Sequence, residues 1–189
     1  VGVYRANRRI RRAAALLLAE AGHHPICVAR SKAALEDLDD AIKAKGGTAT
    51  LVPMDLKDAK AIETLAAAIS ERFGRLDGLL ANAGVLGTIG PLQTVSERSF
   101  EETIDVNLTT NWRLIRAFDL LLRQSSAPRA VFLTSGVVPR PRAFWGPYQA
   151  SKWGLEGLVF AYADEAEKSP LRVNLFDPGA VRTGIRAEA

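Results

Sequence analysis

The chain has 189 residues, with 25 basic and 21 acidic side chains and a formal net charge of +4. Its 48% apolar and 24% charged residues are typical of a soluble globular domain and exclude disordered and fibrous classes. The single cysteine, Cys27, excludes a disulfide framework within the chain. Adjacent His23 and His24 are too few for a metal site, so no metal is expected. No run approaches the ~20 apolar residues of a membrane-spanning helix, and no membrane partner is expected.

The charge excess comes from one short segment. Five of the eight residues from Arg5 to Arg12 are arginine, and the rest of the chain is close to neutral. A local excess of this kind does not indicate a nucleic-acid partner. Basic residues followed by the apolar run Ala13–Ala19 resemble a targeting segment, but the run is short and ends at Glu20. An amphipathic helix is favoured here, and a cytoplasmic location is expected.

Short apolar runs alternate with longer amphipathic ones along the whole chain. The predicted elements are, in chain order, strand Val1–Tyr4, helix Ile10–Ala21, strand His24–Ala29, helix Lys32–Lys45, strand Ala49–Met54, helix Ala59–Phe73, strand Gly78–Ala81, helix Glu97–Arg123, strand Ala130–Thr134, helix Tyr148–Lys168 and strand Arg172–Phe176. This order predicts one α/β domain over residues 1–189, a Rossmann-type doubly wound parallel sheet with helices on both faces. Such sheets bind ligands beyond the carboxyl ends of their strands.

Tyr148 and Lys152 lie one helical turn apart, so both side chains project from the same face of the last predicted helix. A tyrosine titrates near ~10, and proton transfer near neutral pH requires its pKa to fall by roughly three. A lysine ammonium ~4 Å from the phenolate supplies about that much at an effective dielectric near 20. Ser135, after the preceding strand, would hold the reacting oxygen against the phenol. For Tyr148 alone, the alternative is an amphipathic residue at a helix start.

Further motifs accompany this pair in a characteristic order. They are Asn82-Ala83-Gly84, Asn107 within Asp105-Val106-Asn107-Leu108, Ser135, Tyr148-Gln149-Ala150-Ser151-Lys152, and Pro178-Gly179 followed by Thr183. With them the chain resembles the short-chain dehydrogenase/reductase family over nearly its whole length. The resemblance implies an oxidoreductase that transfers a hydride between NAD(P)(H) and a carbonyl or secondary alcohol.

The resemblance also implies roles for four catalytic residues. Tyr148 would be the general acid/base, and Lys152 would lower its pKa and hold the nicotinamide ribose. Ser135 would orient the substrate carbonyl, and Asn107 would support a proton-relay water. The substrate would be a small carbonyl or alcohol compound, whose identity the motifs do not indicate.

Cofactor contacts follow from the same resemblance. The implied cofactor-binding residues are Ile10, Arg30, Ser31, Asp55, Leu56, Asn82, Ala83, Gly84, Tyr148, Lys152, Pro178, Gly179 and Thr183. Arg30 closes the second strand, where an acidic residue binds a free ribose 2′-hydroxyl and a basic one suits a 2′-phosphate. Arg30 with Ser31 therefore favours NADP(H) over NAD(H). The alternative for Arg30 is a solvated charge at a strand end.

The family pattern fails at the first turn. Family members carry Thr-Gly-x-x-x-Gly-x-Gly there, and this chain has Tyr4 in place of the threonine and Arg5, Arg9 and Arg11 in place of the glycines. Those glycines accept backbone angles and close phosphate contacts that a side chain opposes, at about 1–3 kcal/mol for each strained position.

Three accounts of these arginines remain open. They are degeneration into a pseudoenzyme, an alteration that abolishes cofactor binding, and an error in the amino-acid sequence at these positions. A non-catalytic binding or scaffold protein on the same fold is the corresponding alternative function.

Two further expectations concern the ends of the chain and its assembly. Family members continue some tens of residues past Pro178-Gly179 with a substrate-covering helix and a last strand, so a longer polypeptide is expected at both ends. A homodimer or homotetramer is expected through helices Glu97–Arg123 and Tyr148–Lys168. The outward apolar candidates on these helices are Trp112, Trp153 and Phe160.

Overall fold

A computed structural model describes residues 2–5 and 8–179, with side-chain positions for residue 10 and residues 12–179. The strands are β1 (Gly2–Arg5), β2 (Pro25–Ala29), β3 (Thr50–Pro53), β4 (Gly78–Ala81), β5 (Arg129–Leu133) and β6 (Arg172–Phe176). The helices are α1 (Arg8–Glu20), α2 (Lys32–Lys43), α3 (Ala59–Phe73), α4 (Glu97–Ile104), α5 (Thr110–Arg123) and α6 (Gly146–Glu165). A π-helical turn, Asp105–Thr109, joins α4 to α5, and a short 3₁₀ helix spans Leu92–Thr94.

The strands form one parallel sheet in the order β3-β2-β1-β4-β5-β6. Chain order reverses between β1 and β4, which makes this the point where a crevice opens at the carboxyl edge of the sheet. The register places Arg5 beside Ala81 and Ala81 beside Phe132, so the ends of β1, β4 and β5 are adjacent. The predicted doubly wound α/β sheet is confirmed.

Helices cover both faces of the sheet. Helices α3, α5 and α6 share one apolar core with Ile26 and Val28 of β2. Helices α1 and α2 pack on the opposite face against Cys27 and Ala29 of the same strand. Because both alternating faces of β2 are buried, its residues are apolar without polar alternation. No helix in the described ranges has the length and apolarity needed to cross a membrane.

Several helix boundaries follow from local capping. Ser31 caps α2 by accepting a hydrogen bond from the Ala34 N–H at 3.2 Å, and Asp58 caps α3 in the same way. Gly74 ends α3 with a φ of 69°, a left-handed conformation that glycine adopts without strain. Helix α1 begins at Arg8, two residues before the predicted start, so the arginine segment enters the helix itself.

The prediction of one continuous helix over Glu97–Arg123 is wrong, because the structure divides this segment in two. The Thr110 N–H bonds to the Asp105 carbonyl five residues back, which inserts a π turn between α4 and α5. Neither proline nor glycine marks this position, so the sequence pattern shows no interruption there. The turn contains Asn107, one of the candidate site residues.

Candidate functional site

The predicted catalytic residues meet at the carboxyl ends of β4 and β5. Asn82, Ala83 and Gly84 follow β4, and the first two are buried. A Cβ placed on Gly84 would lie 3.7 Å from Asn107 Oδ1 and 3.9 Å from Lys152 Nζ. Three motifs that are far apart in sequence are therefore in contact at this point.

Asn107 is fully buried in the π turn and holds the segment that follows β4. Its Oδ1 accepts a hydrogen bond from the Val85 N–H at 2.8 Å, and its Nδ2 donates to the Val85 carbonyl at 2.9 Å. The same Nδ2 donates to Ser151 Oγ on α6 at 2.9 Å. Both polar atoms of the side chain are engaged, so Asn107 links β4 to α6.

Asn111 was not singled out from the sequence, although it follows Asn107 by one helical turn. Its Nδ2 donates to the Asn107 carbonyl at 2.7 Å. Its side chain is buried, and Oδ1 has no hydrogen-bond partner within the described part of the chain. If the Asn111 amide were turned by 180°, its Oδ1 would face the Asn107 carbonyl oxygen, and two acceptors would meet. The Asn111 Nδ2 is therefore the atom that faces Asn107.

Lys152 is buried on α6 and its Nζ donates to the Leu133 carbonyl at 2.7 Å, at the last residue of β5. Burial lowers the pKa of Lys152 to about 8, and the Glu156 carboxylate acts against this shift. That value is above neutral pH, so the ammonium form is favoured at pH 7.

Tyr148 lies near the amino end of α6, with Pro147 in the first turn of that helix. Its ring makes an edge-on contact with Trp145 at 5.9 Å between centroids, and only 9% of the residue is exposed. Burial raises the pKa of Tyr148, a hydrogen bond from Ser135 lowers it, and the Asp177 carboxylate raises it.

The expected lowering of the Tyr148 pKa by Lys152 does not occur in the protein alone. Burial is the largest influence and acts in the opposite direction. Lys152 Nζ lies 5.9 Å from the centroid of the Tyr148 ring and is directed to the Leu133 carbonyl. The expectation left out the cost of placing a phenolate in a buried position.

The sequence motifs do not indicate one contact between α6 and the end of β5. The Thr134 hydroxyl donates to Glu156 Oε1, across the junction that leads to Ser135. The sequence indicates this contact only through helical spacing, because Glu156 follows Lys152 by one turn and therefore lies on the same face of α6. The predicted strand Ala130–Thr134 includes Thr134, whereas β5 in the structure ends one residue earlier, at Leu133.

The ends of β2 and β3 carry the predicted adenosine-binding residues. Arg30 is 67% exposed in its side chain and lies 4.0 Å from the carboxylate of Asp55. Ser31 is exposed and caps α2. Asp55 also accepts from the Lys57 N–H at 3.1 Å, and the adjacent Leu56 is buried.

The remaining predicted cofactor residues are only partly described. Ile10 is half-buried in α1, and Pro178 is half-buried after β6. Gly179 has a φ of 66° and donates its N–H to Asp177 Oδ1 at 2.9 Å. Thr183 lies outside the described residues.

The three arginines at the family's glycine positions are described only in backbone. Arg5 ends β1, and Arg9 and Arg11 lie in the first turns of α1. A strand followed by a helix is therefore present, as the family pattern implies, and the residues between them, 6 and 7, lie outside the described part of the chain. Their side chains lie outside the described part of the structure.

Known proteins provide an independent comparison. Residues 3–189 match the family model of the short chain dehydrogenases. The uncharacterized oxidoreductase YciK of Escherichia coli K12 is 39% identical over 127 residues, 67% of this chain and 50% of YciK. The chain thus spans about half the length of that relative.

Solved structures agree with this assignment. A short chain dehydrogenase from Salmonella enterica serovar Typhi superposes with a TM-score of 0.94 at 33% identity, covering 100% of this chain and 79% of that one. A Shigella flexneri protein solved in complex with NADP has a TM-score of 0.90 at 34% identity, covering 95% and 76%. The resemblance drawn from the motifs is confirmed: the chain belongs to the short chain dehydrogenase family.

Proposed function

We propose that this protein is an oxidoreductase that transfers a hydride between NADP(H) and a carbonyl or secondary alcohol, with Tyr148 as general acid/base. The observation that carries the proposal is the convergence of Tyr148, Lys152, Ser135 and Asn107 at one point of the carboxyl edge. A tyrosine, a lysine and a hydroxyl donor in this arrangement suit proton exchange with a carbonyl oxygen.

The donor groups after β2 fit a phosphate. Arg30 presents an exposed guanidinium, and the Ser31 hydroxyl keeps its proton for donation because its oxygen accepts from Ala34. Both lie at the amino end of α2, where the helix dipole favours an anion. This donor set supports NADP(H) over NAD(H), as does the NADP complex of the Shigella flexneri relative.

The rest of the cofactor would be held along the same edge. We propose that Asp55 and Leu56 contact the adenine and that Asn82, Ala83 and Gly84 line its ribose. Tyr148 and Lys152 would then contact the nicotinamide ribose. At the nicotinamide end we place Ile10, Pro178, Gly179 and Thr183. When bound, the cofactor supplies or accepts the hydride.

The protein's own residues manage the proton. In the direction of reduction, the Tyr148 hydroxyl gives its proton to the substrate oxygen and becomes a phenolate. Ser135 donates a hydrogen bond that holds the reacting oxygen beside the phenol. Lys152, whose pKa is lowered by burial to about 8, would still carry its charge at neutral pH and favour the phenolate, against the larger effect of burial that raises the pKa of Tyr148. Asn107 would support a proton-relay water. Its side-chain atoms are engaged, whereas its main-chain carbonyl accepts from Asn111 Nδ2 and has a second lone pair for the water.

Cofactor binding and turnover test the proposal separately. NADPH titration, followed by nicotinamide fluorescence, should show tighter binding than NADH, and Arg30→Asp should reverse that preference. Tyr148→Phe should remove turnover of a panel of small ketones and aldehydes while NADPH binding persists. Tyr162→Phe is a matched control, because Tyr162 is buried on the same helix but bonds to Asp119. Absence of binding at millimolar NADPH, or turnover retained in Tyr148→Phe, would overturn the proposal.

A non-catalytic binding protein on the same fold is the second candidate, and the arginines at the family's three glycine positions favour it. The intact mass of the protein would first establish that Arg5, Arg9 and Arg11 are present. With the arginines confirmed, a chain that does not bind NADPH would support this candidate.

We also propose a homodimer or homotetramer formed through α5 and α6. The large apolar side chains exposed on these helices are Trp112 (45%), Leu120 (75%), Trp153 (50%) and Phe160 (62%). Exposed apolar patches of this kind commonly mark protein interfaces. Leu120→Glu should therefore dissociate the oligomer in light scattering, whereas Leu17→Glu, at an exposed position on α1, should not. A monomeric wild type would refute the assembly.

A further inference from the structure

One face of α6 contacts the end of β5 at three successive helical turns. Tyr148, Lys152 and Glu156 lie at successive turns of the helix, and each contacts a different residue of the segment 133–135. The two outer members of the face, Tyr148 and Glu156, contact side-chain hydroxyls. The middle member, Lys152, contacts a main-chain carbonyl.

Thr134 stands between the two residues on which the proposed chemistry depends. Its neighbour Leu133 supplies the carbonyl that receives Lys152 Nζ at 2.7 Å. Its other neighbour, Ser135, lies close enough to Tyr148 to lower the pKa of the phenol. The main-chain N–H of Thr134 donates to the Phe176 carbonyl at 3.0 Å, and its hydroxyl donates to Glu156 Oε1. The side-chain hydrogen bond is therefore the one that ties this residue to α6.

Glu156 is the acidic residue at this junction. It is half-buried, and no cationic nitrogen of the described residues lies within 4.0 Å of its carboxylate. The Thr134 hydroxyl, rather than an ion pair, is the side-chain partner of this carboxylate among the described residues. Its position one turn from Lys152 suggests that the charge serves the neighbouring ammonium.

We propose that Glu156 is a positioning residue for the Lys152–Tyr148 pair. Acting through Thr134, it holds the end of β5 so that the Leu133 carbonyl receives Lys152 and Ser135 faces Tyr148. Its negative charge also supports the Lys152 ammonium inside the protein. The catalytic consequence rests on the function proposed above, whereas the structural and electrostatic parts do not.

The charged and polar groups around Lys152 come from several elements. Helix α6 contributes Tyr148 and Glu156, and β5 contributes the Leu133 carbonyl. The segment after β4 and the π turn contribute Gly84 and Asn107, which carry no charge. Beyond β6, the Asp177 carboxylate acts on Tyr148.

The direction of the electrostatic effect follows from these groups. Burial lowers the pKa of Lys152, and the Glu156 carboxylate raises it in opposition. Loss of that carboxylate should therefore lower the pKa of Lys152 further and leave the ammonium less charged at neutral pH. The phenolate of Tyr148 would then lose part of its stabilising cation.

The lysine titration can be measured without turnover. Carbon-13 labelling of lysine ε-carbons gives an NMR signal that shifts as each ammonium loses its proton, and Lys152→Met identifies the signal of Lys152. Glu156→Gln is nearly isosteric and keeps an oxygen that accepts from Thr134, so it removes the charge with little change in packing. We expect the pKa of Lys152 to fall by about half a unit to one unit in this variant.

Glu165→Gln is the matched control, because Glu165 is an exposed glutamate at the end of the same helix. A pKa of Lys152 in Glu156→Gln equal to that in Glu165→Gln would overturn the electrostatic part. Thr134→Val tests the positioning part, since it removes the hydroxyl without a large change in volume, while Thr134→Ser retains it. With NADPH and a reducible aldehyde, Thr134→Val should lower kcat at unchanged KM for NADPH, and Thr134→Ser should restore it.

The two proposals fail in different ways. A wild type that turns over no carbonyl compound contradicts the proposed function, and the lysine titration still decides the role of Glu156. A wild type that turns over aldehydes, with equal kcat in Thr134→Val and Thr134→Ser, overturns the positioning role alone.

Discussion

Replacement of Asn107 by alanine tests the connection between β4 and α6. The side chain is fully buried and makes three hydrogen bonds, at 2.8, 2.9 and 2.9 Å. Two of these satisfy the main-chain N–H and carbonyl of Val85, and the third reaches Ser151. Alanine removes all three and leaves Val85 without these partners.

The magnitude can be worked from these contacts. A net intramolecular hydrogen bond contributes about 1 kcal/mol, and a buried polar group left without a partner costs about 1–3 kcal/mol. Asn107→Ala should therefore lower the free energy of unfolding by about 3–5 kcal/mol. That is a large part of the roughly 5–15 kcal/mol that stabilises a typical domain.

Urea denaturation followed by tryptophan fluorescence measures this loss. Asn174→Ala is the control, because Asn174 is an exposed asparagine in β6 and its replacement should change stability by no more than about 0.5 kcal/mol. A loss below about 1 kcal/mol in Asn107→Ala would refute the reasoning. It would mean that water satisfies Val85 as well as the asparagine does.

Two further predictions concern pH and backbone strain. The pKa of Lys152 is lowered from 10.5 to about 8 in the folded state, so the unfolded chain binds more protons between these values. The free energy of unfolding of the wild type should therefore rise relative to Lys152→Met as pH increases through this range, and a constant difference would contradict the shift. Gly87 has a φ of 72°, and a Cβ there would lie 2.2 Å from Thr103 Oγ1, so Gly87→Ala should lose about 2 kcal/mol or more in thermal unfolding. Gly157→Ala, in α6 with no atom within 4 Å, should instead gain about 0.5–1 kcal/mol, and equal effects at both glycines would contradict the strain argument.

The order of elements was predictable because buried parallel strands leave a clear pattern. The five residues of β2 are all buried and all apolar, and shorter apolar runs that are buried or half-buried end at Ala81 and Leu133. Helix periodicity and the glycines after α1 and α2 then fix the alternation. The π turn was not predictable, since it depends on which carbonyl the Thr110 N–H selects rather than on residue type.

The sequence motifs predict which residues meet at the candidate site, but not the residues that support them. Tyr148 and Lys152 share a face by spacing alone, and the structure places both at the carboxyl edge. The supporting contacts of Asn111, Thr134 and Glu156 arise from the packing of α6 and the π turn on neighbouring elements, which a pattern along one chain does not contain. The direction of the Tyr148 pKa shift was missed for the same reason, because burial is a tertiary property.

The arginines in the first turn lead to the last prediction. Helix α1 begins at Arg8 and has no acidic residue in its first turn, so its amide groups and dipole suit a phosphate. Glycines at positions 5, 9 and 11 would let a pyrophosphate approach the backbone, whereas arginines add charge and occupy volume. If volume dominates, the combined replacement of Arg5, Arg9 and Arg11 by glycine should tighten NADPH binding at least tenfold, or about 1.4 kcal/mol.

The control for this experiment is Arg12→Ala, which removes a charge from the same helix at a position where the family has no glycine. Calorimetric titration of both variants with NADPH separates the two effects. Tighter binding in the glycine variant alone identifies the lost turn as the obstacle to cofactor binding. Weaker binding in both variants would show that the arginines attract the phosphates more than they exclude them. The first turn would then be an altered but working phosphate site rather than a degenerate one.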